Sequence, residues 1–119
     1  MNQRLHRFLR IHRPAEIREI LTTGRKYIGN HIILYCLTAS SPDAITRAGF
    51  LSPKRMGKAV RRNRFRRWVR EAFRQHRAGM EGSRHILIMG RTSAINAGYQ
   101  AVCDDFLRLC RKARLLPSA

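Results

Sequence analysis

One stretch sets the terms for everything else this chain can do. Residues 52–77 read SPKRMGKAVRRNRFRRWVREAFRQHR. Between Lys54 and Arg77 there are eleven Lys/Arg and a single acid, Glu71, so +10 of the chain's net +18 sits in 24 residues. A basic tail of that density would stay solvated and unfolded, but this one carries Phe65, Trp68, Val69, Ala72 and Phe73 at helical spacing. With Phe65 at 0°, those five side chains fall within about 80° of one direction, while Asn63, Arg67, Arg70 and Arg74 lie between about 140° and 200°. The stretch is therefore predicted as a helix over residues 58–77, with one face for a core and the other a row of guanidinium groups around one carboxamide. Arg61 and Arg62 fall toward the apolar side of the wheel and Val60 toward the outside, which a two-faced helix does not account for. If the first turn overhangs the sheet, Arg61 and Arg62 are free to reach a ligand.

The remainder of the chain must supply that core. At 119 residues and 44% apolar content it suits one modest domain, with residues 1–13 as a basic arm and 115–119 as a frayed tail. A net charge of +18 repels itself unless a polyanion compensates, so nucleic acid is the first expected partner and an anionic membrane surface the second. No apolar run approaches the ~18 residues of a membrane span and the N-terminus lacks a signal-peptide apolar segment, so no membrane association and a cytoplasmic location are expected. Cys36, Cys103 and Cys110 are odd in number and lack metal-ligand spacing, which favours buried thiols.

In chain order, Pro14 suits the first turn of a helix over 14–22, and Ile17, Ile20 and Leu21 form its apolar face with Gly24 as C-terminal cap. Residues 25–28 make a short strand, Gly29-Asn30 a turn, and 31–38 (HIILYCLT) a strand. The loop 39–44 (ASSPDA) leads to a strand over 45–52, expected to run antiparallel to the one before it. After the basic helix come a strand at 84–90 and a helix at 97–113 with Asn96 as its N-cap. Its apolar stripe is Tyr99, Val102, Cys103, Phe106, Cys110 and Ala113. The order α-β-β-β-α-β-α describes an α+β domain with a mainly antiparallel four-stranded sheet and helices packed on it.

Catalytic chemistry finds no footing in this pattern. The seven carboxylates are scattered, and the close pairs Glu16/Glu19 and Asp104/Asp105 lie on helices where they relieve like-charge repulsion. The five histidines make no metal spacing, so no catalytic residue and no metal site is expected. Binding chemistry is well supplied. Arginine forks match phosphate oxygens, Asn63 suits a base edge or 2′-hydroxyl, and the backbone at 52–57 with the helix start at 58–61 offers N–H groups to another phosphate. Tyr35 shares one side of its strand with Ile33 and Leu37, where an open sheet face could stack single-stranded RNA.

PKRMGKAVRRNRFRRWVREAFR at 53–74 resembles the signature of the protein subunit of bacterial ribonuclease P, with Arg62-Asn63-Arg64 as its central triplet. The resemblance extends over EIREILTTGRKYIGNHIILYCL at 16–37, RAGFLSPKR at 47–55 and HILIMGR at 85–91. It implies an accessory protein that docks its basic helix on a catalytic RNA and binds the 5′ leader of precursor tRNA in a cleft on the sheet. The RNA then cuts the leader with its own magnesium ions, so the protein binds no cofactor directly. It also implies one protein per RNA subunit and a left-handed β-α-β crossover around the basic helix. RNA-binding candidates are Lys54, Arg55, Lys58, Arg61, Arg62, Asn63, Arg64, Arg66, Arg67, Arg70 and Arg74. Leader-binding candidates are Tyr35 together with Ile17 and Leu21, which stand where the family often has aromatics. Composition alone leaves two alternatives open, a ribosomal protein or RNA chaperone and an autonomous nuclease.

Overall fold

The computed structural model describes residues 9–39 and 45–117. Most of the predicted arm (residues 1–8), most of the loop before the third strand (40–44) and residues 118–119 lie outside them. Helix α1 (Pro14–Thr23) starts on its proline and stops at Gly24, whose N–H bonds the Ile20 carbonyl. Strands β1 (Arg25–Ile28) and β2 (Ile32–Thr38) then form an antiparallel hairpin. Strand β3 is Arg47–Leu51, the basic helix α2 is Ala59–His76, and β4 is Arg84–Gly90. A short α3 (Ala94–Ala97) precedes α4 (Tyr99–Lys112).

The sheet order is β1-β2-β4-β3. Here the expected antiparallel pairing of β3 with β2 is overturned: β4 lies between them, antiparallel to β2 and parallel to β3. The 18 residues of α2 account for this. At ~1.5 Å per residue they carry the chain back along the sheet, so the next strand enters in the direction of β3. Strand β4 also suits the centre better. Its Ile86, Leu87 and Ile88 are all fully buried, whereas β3 holds Arg47 and Gly49 at an edge. The arm borders that edge, with Arg10 bridged to Ala48 and the Ile11 N–H on the Ala48 carbonyl at 2.8 Å.

Alternation along the strands divides the buried side chains between two faces. On one, Ile32, Leu34, Cys36, Ala48, Ile86 and Ile88 meet Phe65, Val69, Ala72 and Phe73 of α2 and Val102, Phe106, Leu109 and Cys110 of α4. On the other, Tyr35 and Leu87 meet Ile20 of α1 and Ile11 of the arm, with Ile17, Ile33, Leu37, Leu51 and Met89 partly covered. Trp68, expected in the core, is half-buried and packs edge-to-face on Tyr99 at 6.2 Å. All three cysteines are free thiols in buried positions, and burial pushes the Cys110 thiol far above its usual value.

Two details tie the ends of the fold together. The Asp105 carboxylate of α4 accepts from three successive amides in the β1–β2 turn, Asn30 at 3.2 Å, His31 at 2.8 Å and Ile32 at 3.1 Å. Gly29 is needed there because a Cβ would stand 2.4 Å from Asp105 Oδ2. At the other end, Leu115 begins the segment expected to fray, yet it is fully buried and its carbonyl accepts from Glu81 N–H at 2.7 Å. Asn96 does not cap the last helix. It sits in α3, and Gly98 at φ 93° breaks the chain between α3 and α4, a conformation open to glycine. Among the described residues no helix is long and apolar enough to cross a membrane.

Candidate nucleic-acid interface

Helix α2 presents its cations in two different states. Lys54 and Arg55 in the 3-10 turn Lys54–Met56, Lys58 at the helix N-cap, and Asn63, Arg64 and Arg67 on the helix are exposed. Arg61, Arg62, Arg66, Arg70 and Arg74 are half-buried and already hold intramolecular partners or packing contacts. Arg61 donates to Asn96 Oδ1 at 3.2 Å, and Arg62 Nε donates to the Ser52 carbonyl at 2.7 Å. Arg66 donates to both Ser52 Oγ and Asn63 Oδ1. Arg74 makes two bonds to Glu71, at 2.9 and 2.5 Å.

These contacts answer the difficulty at the start of the helix. Arg61 and Arg62 fall on the inward side because their guanidiniums brace the loop before α2 and the segment after β4, rather than reaching outward. Val60 is 60% exposed and makes no claim on the core. The backbone of the turn is also partly occupied: the amides of Met56, Gly57 and Arg61 bond the carbonyls of Pro53, Lys54 and Lys58. The exposed Lys54, Arg55 and Lys58 side chains are therefore the turn's main offering to an anion.

Along the middle of α2 the charges crowd. Arg70 lies with its guanidinium 6.0 Å from the Phe50 ring centroid. Burial, and then the neighbouring charges of Arg10, Arg66 and Arg67, lower its pKa. Arg10 belongs to this cluster although it comes from the arm, and no helical wheel of α2 could have found it. The only signal was the alternation of basic and apolar residues before Pro14. Glu71, the helix's one acid, is engaged by Arg74, whose hydrogen bond holds the carboxyl below its usual range.

The leader-binding candidates lie across the sheet. Tyr35 is only 9% exposed, and the Lys26 ammonium stands 5.9 Å from its ring centroid. Ile17 is half-buried, Leu21 is 36% exposed and Ile28, on the same side of the hairpin, is 58% exposed. Tyr35 and Ile17 thus belong to the apolar cluster under α1, on the opposite face of the sheet from α2, with Leu21 exposed on the same helix and Lys26 beside the Tyr35 ring. Among the described residues no three His, Cys, Asp or Glu side chains converge in a metal-holding group.

The family model for ribonuclease P matches residues 5–114. The ribonuclease P protein component of Desulfovibrio desulfuricans is 34% identical across 97% of this chain and 91% of its own length. That of Chloroflexus aggregans is 35% identical across 94% and 82%. Among solved structures, the RNase P protein of Staphylococcus aureus superposes with a TM-score of 0.82 at 22% identity, covering 91% of this chain and 97% of that one. The Thermotoga maritima RNase P protein gives 0.76 at 21% identity over 87% and 96%. With the sequence match spanning nearly the full length and the fold in agreement, the chain belongs to the ribonuclease P protein family.

Proposed function

We propose that this chain is the RNA-docking and leader-binding subunit of a ribonuclease P that matures the 5′ ends of tRNA. The observation that carries the docking half is the cluster of Arg66, Arg67 and Arg70 on α2 with Arg10 of the arm beside them, in which Arg70 feels only like charges. Phosphates of the catalytic RNA relieve that repulsion, and arginine forks receive them in bidentate fashion. Exposed Arg64 and Arg67 make the first contact, with Lys54, Arg55 and Lys58 extending the track around the helix start. Asn63 reaches a base edge or 2′-hydroxyl once Arg66 turns from it to a phosphate.

The 5′ leader of precursor tRNA passes over the opposite sheet face. Ile17, Leu21 and Ile28 give it apolar contact, and Lys26 and Tyr35 supply a charge and a ring edge. Magnesium is held by the RNA. The carboxylates best placed in this chain are already engaged, Glu16 by Arg47, Glu71 by Arg74, and Asp105 by Arg108 and three amides. One protein serves one RNA subunit, in the cytoplasm with the precursors.

Reconstitution tests the whole reading. Protein alone, a bacterial ribonuclease P RNA alone, and the mixture are each given precursor tRNA at low magnesium. Cleavage stimulated only in the mixture is expected. Cleavage by protein alone would make it an autonomous nuclease, and no stimulation with tight RNA binding would make it a general RNA chaperone. With about 6–8 phosphates engaged, log affinity should fall against log salt by about 0.7–0.9 per phosphate.

A further inference from the structure

A second concentration of positive charge lies away from the α2 stripe. Where α4 ends over the start of β1, a cavity of about 620 Å³ is lined by Arg25, Arg84, Lys112 and Arg114, with Tyr27, Cys36 and Thr38 among its walls. The register sets Arg25 beside Cys36 and Arg84 beside Thr38 on the α4 side of the sheet. Helix α4 contacts both α2 and β1, so its body separates this cavity from the stripe. Among the described residues, four cations line it and no carboxylate does. Like the cluster around Arg70, and unlike the pairs Arg47–Glu16, Arg74–Glu71 and Arg108–Asp105, this group of cations has no acid in its lining.

The backbone gives an independent reason to single out this place. Arg114 has φ 60°, the one positive value at a non-glycine position among the described residues. It stands just past the end of α4, where the Leu115 N–H closes back on the Cys110 carbonyl at 2.9 Å, the position that usually holds glycine. A side chain kept in a left-handed conformation against steric preference points to a use for that side chain. Cations near a helix C-terminus suit its dipole, which would account for Lys112, but not for a strained Arg114 or for Arg25 on another element. Arg84 is fixed as the floor by bonds to the Ala113 carbonyl at 3.3 Å and Cys36 Sγ at 3.5 Å.

We infer that this cavity is a second phosphate site, in which Arg25, Arg84, Lys112 and Arg114 hold one phosphodiester of an RNA strand on the far side of α4 from the stripe. Donor chemistry agrees, since guanidinium forks from β1, β4 and the end of α4, with the Lys112 ammonium, line one cavity, and such groups suit phosphate oxygens. The inference rests on the reading of the chain as an RNA-binding subunit, and its test separates the two.

Full-length chain is titrated with a transcribed bacterial ribonuclease P RNA across a salt series. The variants are Arg114→Gly, Arg25→Gln, the double variant, and Arg111→Gln, which removes an equal charge from an exposed position outside the cavity. Arg114→Gly and Arg25→Gln should each reduce the slope of log affinity against log salt by about one, and the double variant by no more than about one, because the same phosphate is lost. Arg111→Gln should change it clearly less. Arg114→Gly should melt no lower than the wild type, since glycine relaxes that conformation. Unchanged slopes, an equal effect of Arg111→Gln, or a lower Tm with an unchanged slope would each overturn the site. So would amide shifts at Arg114 caused by inorganic phosphate alone without a slope change on RNA, which would mark a small-anion site. If the wild type fails to stimulate the RNA and binds an unrelated structured RNA equally well, the proposed function fails. The slope comparison on that RNA still decides the cavity.

Discussion

The two faces of the sheet are built to different standards. Under α2 and α4 the side chains pack in a large layer in which Phe65, Phe73, Phe106, Ile86 and Ile88 are fully buried. Under α1 and the arm a smaller cluster closes over Tyr35 and Leu87, and Leu21 and Ile28 stay in water. The filled face carries a helix whose outer side must present charge at fixed spacing, so rigidity there serves binding. The thinner face leaves apolar surface uncovered, which costs stability and leaves room for a flexible strand. Electrostatics follow the same division: most of α2's cations stand over the filled face, whereas single cations such as Lys26 edge the open one.

Substitutions can break or sharpen this contrast. The largest effect is expected for Phe65→Ala in the filled layer, a loss of about 3–5 kcal/mol in denaturant unfolding. Asp105→Ala comes next, on the order of 2–3 kcal/mol, because three hairpin amides lose their acceptor. Burial by itself raises the Asp105 carboxyl, but the His31 amide, Arg108 and the Asn30 and Ile32 amides outweigh it and hold the pKa below its usual value. A carboxyl depressed in the folded state stabilises fully above the unfolded value of ~3.9 and loses that contribution as pH falls through the lower native value. Asp105→Asn should therefore flatten the acid limb of a stability–pH curve; an unchanged limb would remove Asp105 from the account.

On the open face, Leu21→Ala should cost less than about 1 kcal/mol, because much of the side chain is already exposed. If it proved as damaging as Phe65→Ala, the two faces would not differ as described. The smallest effects separate two arginines that a helical wheel treats alike. Arg70→Ala forfeits its place over Phe50, worth about 0.5–1 kcal/mol, while Arg67→Ala should stay within about 0.5 kcal/mol of wild type. Both should weaken binding to the RNA subunit in a filter or fluorescence titration. Equal melts for the two would show that Arg70 is as free as Arg67.

Much of this was legible in the residues. The apolar, β-forming runs at 31–38 and 84–90 gave the central strands, and the 3.6-period stripe of Phe65, Val69, Ala72 and Phe73 named the buried side of α2. Capping chemistry at Pro14 and Gly24 bounded α1. What stayed hidden depends on partners distant in the chain. The run at 45–52 reads as a strand, but nothing in it says that β4 will slip between it and β2. A wheel centred on Phe65 ranks Arg70 with Arg67, because it knows nothing of Phe50 on a neighbouring strand. Ser52, which gathers Arg62 and Arg66, looks like any loop serine. The cavity beside Arg114 draws its cations from β1, β4 and the end of α4, positions spread over residues 25–114, and no local window brings them together.

The clasp between Asp105 and the hairpin amides also bears on how the chain is made. Residues 30–32 emerge from a ribosome more than seventy residues before the carboxylate that fixes their turn. Strand β2 likewise waits for residues 84–90 before it gains its second neighbour. Until then β1 and β2 form a lone two-stranded ribbon, which is marginal in water. A sheet whose middle strand is among the last to appear cannot be assembled by adding strands in order of synthesis. Its loop-closure entropy must be met nearly at once, by long-range contacts, and that favours slow and concerted folding. During that interval the uncompensated cations of residues 54–77 are already outside the ribosome, where their mutual repulsion keeps the unfinished chain extended and open to its RNA.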